Sequence, residues 1–396
     1  MHKKIDIVIV GTGNAGFSAA KAAREHAPSA SILLIGEEDL MPFNRTNLSK
    51  TLAVGFQKNE FQLQPPEWYA ESHIELALNR RAGALEPEGH QLILENGDTV
   101  TWNKLVLATG ARPVWPAGVD RNSPYLYALR TAQSAEALMA AARSAKSVLV
   151  VGMGVLGVEI AEQMVKLGKR VTLAGNAVAM MPRQLNVAAS DRMKAEFESH
   201  GVELLFGEPV PSVVPGEGRP VKALLSLGER QVDLCVISLG VAPCVELAKD
   251  AGLAVKRGIV VDQWLRTTHP DIYAAGDVAE HPNGQITAVW RAAGSQGTIA
   301  GTNAAGGEAI DDQLPFRLKT EVFGHYYFSV NRPAATELPA FETIESRSGS
   351  FYWCFYIRDG LVQGAVMVDD GGRWKDYEAA AREHWPKEKA ISTFEG

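Results

Sequence analysis

The sequence predicts an α/β fold in which one three-layer strand–helix–strand unit is used twice, followed by a small α+β domain. Three observations predict it. A β-branched run ends in a glycine-rich turn and an alanine-rich helix near the N-terminus; the same succession recurs from Ser147; and two strand-like runs flank Asp359-Gly360 near the end. A chain of 396 residues has room for two or three separate cores.

The first unit has a strand at residues 5–10, a glycine turn from Gly11, a helix from Ala15 to about Glu25, and a second strand at residues 31–36. The second repeats it with a strand at 148–151, a turn at 152–157, a helix from Val158 to Leu167 and a strand at 170–174. Each copy continues into a hairpin. In the first, residues 91–94 and 99–102 flank Asn96-Gly97, a pair suited to a tight turn; in the second, residues 221–227 and 231–237 flank Gly228. Each then closes on an apolar strand ending in glycine, at 105–110 and 235–240.

Composition narrows the function. Apolar residues make up 46% and charged residues 21%, as in a globular enzyme. A formal charge of −7 argues against a non-specific nucleic-acid binder. No apolar run is long enough for a membrane span, and the start passes straight into a strand pattern, so the reading is cytoplasmic. Cys235, Cys244 and Cys354 lie far apart without metal or redox spacing, which predicts buried small residues and neither a disulfide nor a metal site. His269 and His281 have no second ligand at useful spacing and read as surface or capping histidines.

The glycines carry the chemistry. In Gly11-Thr-Gly13-Asn-Ala-Gly16 the first glycine permits the tight turn, the second lets backbone approach a pyrophosphate, and the third lets the helix pack on the sheet. Free N–H groups and the helix dipole then meet the phosphates. Glu37, about twenty residues further, is placed to accept from a ribose diol. Gly152-Met-Gly154-Val-Leu-Gly157 repeats the turn, but its second strand runs into Gly175-Asn176, with Gly175 standing where an acid would mark NADH. No base stands there either, Arg183 being the first candidate, which favours NADH over NADPH. Two Rossmann-like dinucleotide sites in one chain is the reading.

Further segments resemble the two-dinucleotide FAD reductases of the pyridine nucleotide-disulfide oxidoreductase superfamily. Residues 101–110 resemble the strand-and-glycine motif between binding domains, 268–277 the second flavin motif, and 290–303 the helix facing the flavin pyrimidine. Pro42-Phe-Asn-Arg45-Thr-Asn-Leu-Ser49-Lys50 is similar to the corresponding stretch of rubredoxin, flavorubredoxin and ferredoxin reductases. Disulfide reductases carry reactive cysteine in this region, whereas here no cysteine precedes Cys235. The similarity runs through about residues 5–310 and fades after Pro315.

The resemblance implies a glutathione-reductase-like arrangement: an FAD-binding domain of residues 1–118 and 245–316, an NAD(P)-binding domain of 119–244, and a β-rich C-terminal domain of 317–396. It implies cofactor contacts at Gly11, Gly13, Asn14, Ala15, Gly16, Glu37, Arg45, Lys50, Ala82, Thr109, Gly110, Arg112, Gly152, Gly154, Leu156, Gly157, Glu159, Gly240, Gly276, Asp277 and Trp290. Lys50 and Glu159 are the residues placed nearest the flavin and nicotinamide chemistry. The implied activity takes a hydride from NADH, or NADPH, to FAD and passes electrons to a weakly docked rubredoxin or ferredoxin-type protein. A basic rim is expected for that partner, with Arg45, Arg80, Arg81, Arg112, Arg291 and Arg317 as candidates. The alternatives are reduction of a small acceptor such as a quinone or monodehydroascorbate, or a flavin-binding redox regulator. The aromatics of 351–357 read as core, and the polar tail 371–396, with Trp374 and Trp385, has no assigned role.

Overall fold

The computed structural model describes residues 2–57, 59–209, 212–215, 221–225, 228–312 and 316–394. The first sheet has seven strands. Ile74–Ala77, Ile32–Ile35, His2–Val10 and Thr99–Leu107 run parallel, and Gln91–Leu94 and Ala82–Glu86 extend the sheet antiparallel. Ile272–Ala274 returns from far down the chain to pair with Leu105–Leu107. The predicted hairpin strand and closing strand are therefore one. Its first half alternates in burial, as a strand with one covered face does, while Leu105, Val106 and Leu107 are all buried between sheet neighbours.

The second sheet is parallel, in the order Glu203–Phe206, Arg170–Gly175, Ser147–Val151, Leu234–Ile237, Leu126–Tyr127. Helices Ala132–Ser144, Val155–Lys166 and Val187–Ser199 contribute to the core on one face. The antiparallel strands Ser212–Pro215, Val221–Leu225 and Gly228–Val232 form a third layer. Residues 226–227 of the predicted hairpin lie outside the described residues. The predicted run 231–237 breaks at Asp233, whose carboxylate accepts from the N–H groups of Lys146 and Ser147 at 2.9 Å. A short antiparallel ribbon, Ala111–Pro113 against Val241–Pro243, follows the two closing glycines and ties the sheets together.

Arg317–Val322, His325–Val330, Leu361–Val368, Phe351–Arg358 and Glu342–Ser348 form the antiparallel C-terminal sheet. Asp359 (φ 52°) and Gly360 (φ 73°) both take left-handed backbone, the requirement of a tight hairpin turn. Residues 352–357 read as continuously apolar because both faces are covered. Tyr352, Cys354 and Tyr356 pack toward the second sheet's helices, whereas Trp353, Phe355 and Ile357 pack under the tail. That tail, unassigned from sequence, forms helices Trp374–Arg382 and Lys387–Phe394, with Tyr377, Ala380, Ala381, Ala390 and Phe394 buried on the sheet. Among the described residues no helix is long and apolar enough to cross a membrane.

Candidate functional site

The two glycine turns have the same geometry. Gly11 (φ 117°) and Gly152 (φ 122°) leave their strands with backbone that L side chains rarely adopt. A Cβ would stand 2.1 Å from Ala108 O at Gly11 and 2.0 Å from Ser238 O at Gly152. At Gly16 and Gly157 it would meet the carbonyl oxygens of Gly11 and Gly152, at 1.7 and 1.9 Å. These four glycines permit close packing. Gly13 and Gly154 differ: among the described residues nothing lies within 4 Å of a Cβ built there, and both cap their helices without a side-chain bond to the first turn. Open space over free helical N–H groups is what a pyrophosphate requires, so this backbone fits the dinucleotide the motif implies.

Beside the first turn opens a cleft of about 500 Å³. Of the predicted residues, Gly13, Asn14, Ala15, Arg45, Lys50, Gly110, Leu156, Glu159, Asp277 and Trp290 line it. Segments far apart in sequence meet here because the helices Asn14–His26 and Trp290–Ala304 cross almost backbone to backbone. A Cβ at Gly297 or Gly301 would lie 2.1 Å from Ala15 O or Ala19 O, and Asn14 Nδ2 donates to Trp290 O at 2.6 Å.

The remaining predicted residues lie off the cleft wall. Gly11, Gly16, Gly152 and Gly157 act beneath it, as above. Gly276 (φ 81°) is the turn into Asp277, and Gly240 (φ 91°) leads into the two-stranded ribbon. Thr109 donates its hydroxyl to Cys244 O at 2.8 Å. Arg112 is paired with Glu246, and Ala82 opens an outer strand. Glu37 is exposed, 4.0 Å from Arg81. The backbone also corrects the register of the second copy. Gly11 N–H donates to Ile35 O and Gly152 N–H to Ala174 O, both at 2.7 Å, so Asn176, not Gly175, stands where Glu37 stands in the first.

Several side chains at the cleft were not singled out from sequence. Arg130 places Nη2 3.0 Å from Asp277 Oδ2, and its carbonyl accepts from Arg45 Nη1 at 2.7 Å. Glu38 takes the other end of Arg45 at 2.7 Å and the Ala132 N–H at 3.1 Å. The Arg45 guanidinium is thus turned inward as a clamp and is no part of a docking rim. Glu159, 7% exposed, accepts from Ser49 Oγ at 2.5 Å and Thr320 Oγ1 at 2.9 Å. One carboxylate thereby joins the Arg45–Lys50 segment, the second glycine-turn helix and the C-terminal sheet. The only sequence signal for this was Ser49 within the Leu-Ser-Lys stretch, since Thr320 lies 161 residues from Glu159.

Positive charge gathers at the cleft's C-terminal side. Lys50, Arg291, Arg317 and Lys319 line it, and the Arg317 and Lys319 cations lie 5.0 and 4.3 Å from the Trp374 ring. Desolvation first, then the charges of Arg317, Lys50 and Lys375, lower the pKa of Lys319. Glu378 on the same tail helix takes both Arg291 and Arg317. The cysteines take no part: burial pushes Cys235 to about 12 and Cys354 to about 11, and raises Cys244, so none is a ready thiolate.

His269 behaves as expected, its Nδ1 accepting from Asp271 N–H at 3.2 Å. His281 does not. It is buried, 3% exposed, with Nε2 against Gln296, 15 positions away, and Nδ1 3.3 Å from the Asp311 carboxylate, 30 positions away.

Comparison with known proteins agrees with this architecture. The family model described as pyridine nucleotide-disulphide oxidoreductase matches residues 5–297. The chain is 34% identical over 278 residues to the biphenyl dioxygenase system ferredoxin–NAD(+) reductase component of Paraburkholderia xenovorans (strain LB400), covering 70% of this chain and 68% of that one. It is 33% identical over 277 residues to a rubredoxin–NAD(+) reductase of Pseudomonas putida, covering 69% and 71%. A chain in the crystal structure of the covalent putidaredoxin reductase–putidaredoxin complex superimposes with a TM-score of 0.86 at 25% identity, over 96% of this chain and 94% of that one. With repeated glycine turns, a cleft between them and a family match over most of its length, the chain belongs to the pyridine nucleotide-disulphide oxidoreductase family.

Proposed function

We propose that this protein is an FAD-dependent reductase that takes a hydride from NADH and passes electrons to a rubredoxin or ferredoxin-type iron protein. The observation that carries the reading is one cleft reached by both glycine turns and lined by Lys50, Asp277 and Trp290, with no thiolate beside it. The relatives' names, reductases of ferredoxin and of rubredoxin, support the same class of acceptor. We place FAD on residues 1–118 and 245–316, the nicotinamide nucleotide on 119–244, and the C-terminal sheet, 317–396, over the cleft. FAD, when bound, supplies the conversion of a two-electron hydride into single electrons.

The chain's residues then have distinct tasks. Gly13 and the helix behind it hold the pyrophosphate of FAD, and Gly154 that of NADH. Glu37 takes the FAD ribose. Asp277, held by Arg130, takes the ribitol, and Asn14 fixes the start of the Trp290 helix. Lys50 sets positive charge beside the flavin. Glu159 positions the Lys50 segment through Ser49 and acts as neither nucleophile nor base. Asn176 offers the adenosine ribose of the nicotinamide nucleotide neutral hydrogen bonds and no positive charge of its own for a 2′-phosphate, so NADH is the expected donor. The setting we propose is the cytoplasm.

Anaerobic stopped-flow mixing tests this. Rapid bleaching near 450 nm with NADH, slower with NADPH, then fast reoxidation by oxidised rubredoxin or a [2Fe–2S] ferredoxin is the expected result. Reoxidation by quinone alone would move the acceptor to a small molecule, and a protein that takes up no FAD would overturn the proposal.

The docking rim follows from the same reading but is narrower than the sequence suggested. Arg45 and Arg112 are committed to Glu38 and Glu246, Arg81 to Glu37 and Glu95, and Arg291 and Arg317 to Glu378, and Arg80 turns to the Asn79 carbonyl, which leaves Lys319 and Lys375 around Trp374. Lys375→Glu is expected to lower kcat/KM for an acidic rubredoxin by about 5-fold at low salt, the gap closing as salt rises. NADH-to-ferricyanide turnover should not change. An equal loss with ferricyanide would reject the rim.

A further inference from the structure

Behind the flavin-ribitol turn, a row of buried polar groups leads to a histidine the proposed reaction does not use. Gly276 N–H, in the turn that presents Asp277, donates to Gln296 Oε1 at 2.8 Å. The other end of that amide, Nε2, lies 2.9 Å from His281 Nε2 and 3.2 Å from Thr287 Oγ1. On the far side of the ring, His281 Nδ1 is 3.3 Å from Asp311 Oδ2. The histidine, the glutamine and the aspartate side chain are all 3% exposed or less.

Such a row has one consistent polarity. With Gln296 Oε1 committed to Gly276 N–H, its NH₂ must donate, so His281 Nε2 must accept and its proton sits on Nδ1 toward Asp311. A second proton, on Nε2, would set N–H against N–H₂. Relieving that clash means turning the Gln296 amide over, which puts its NH₂ against Gly276 N–H and leaves a buried donor without an acceptor. Resting on the FAD assignment above, we infer that His281 is a positioning residue that holds the Gly276–Asp277 turn, through Gln296, only while its Nε2 is unprotonated, so that acid loosens the ribitol end of the flavin site.

The surroundings set the direction. Asp311 is the charged group facing the ring. The neighbouring Glu280 turns away, accepting from the Arg257 and Gly258 N–H groups at 2.8 Å, and the 284–287 turn and the Trp290–Ala304 helix present the neutral Gln285, Thr287 and Gln296. Burial lowers the His281 pKa from 6.5, opposed by Asp311. The turn is therefore fully held above the ordinary histidine range and weakens as pH falls through that range toward the lowered value.

The test is the rate of FAD release from holoenzyme, followed by free-flavin fluorescence after dilution between pH 8 and pH 5. The wild-type rate should rise about 10-fold on acidification, the effect of one buried hydrogen bond. His281→Gln, which keeps an acceptor near Nε2 but does not titrate, should release FAD slowly and without that rise. Gln296→Glu accepts from both Gly276 N–H and a protonated His281, so its dependence should reverse, with tighter binding in acid. A flat wild-type profile, an unchanged acid rise in His281→Gln, or a wild-type slope in Gln296→Glu would each overturn the inference while leaving the flavoprotein reading intact. Absence of FAD at pH 8 would overturn both.

Discussion

Gly297→Ala is expected to destabilise the protein by about 3 kcal/mol and to strip it of FAD. The added methyl would lie 2.1 Å from Ala15 O and 2.8 Å from Ala15 C, which are backbone atoms with no rotamer to relieve the overlap. The helices Asn14–His26 and Trp290–Ala304 must then separate, breaking the Asn14–Trp290 O bond and widening the cleft that Ala15, Asp277 and Ala293 share. Helix propensity pulls the other way, since alanine is better than glycine inside a helix by about 1 kcal/mol. The steric term therefore decides the sign. Thr298→Ala, one position on but facing solvent, is the control and should stay within about 0.5 kcal/mol. Calorimetric Tm and the 450 nm to 280 nm absorbance ratio of the purified variants measure both effects. A Gly297→Ala protein with wild-type Tm and full flavin would show that the crossing is not close-packed.

What the sequence reveals of this molecule depends on whether the deciding contact is local. Gly11 and Gly152 could be read because a turn's need for left-handed backbone lies in the turn itself, and Asp359-Gly360 for the same reason. The continuity of Thr99–Leu107 could not be read so directly. Its second half is held by Ile272–Ala274, and nothing near residue 105 announces that partner. The tail carried its signal in Tyr377, Ala380 and Ala381 at helical spacing, but two short helices amid charged residues gain stability from the sheet they cover rather than from their own sequence. At the site, glycines and the Arg45–Lys50 stretch were legible as motifs. Arg130 was not, since its value arises from Asp277 lying 147 residues further along. His281 was misread because burial of a histidine is a property of what packs around it, here Gln296 and Asp311.

Glu159→Ala is expected to cost about 2–4 kcal/mol and to slow flavin reduction, whereas Glu159→Gln should remain close to wild type in both. The carboxylate is almost wholly out of water and each oxygen accepts from a hydroxyl, Ser49 on one side and Thr320 on the other. Alanine leaves both hydroxyls without that acceptor beside a new void, two penalties of about 1–3 kcal/mol each, partly relieved by rotation and by entry of water. The Ser49 end matters for activity because Lys50 follows it directly into the cleft, and a freed segment no longer holds that ammonium against the flavin position. Glutamine keeps one accepting oxygen and offers an amide NH₂ to the other hydroxyl, which can turn to accept, so the three-way junction survives without the charge. The pair of variants therefore separates two roles. If the residue works by joining segments, stability and the rate of bleaching by NADH fall together in Glu159→Ala and persist in Glu159→Gln. If it works as an ionised group on the nicotinamide, Glu159→Gln should keep its Tm and lose its rate, and the positioning role assigned here would be wrong.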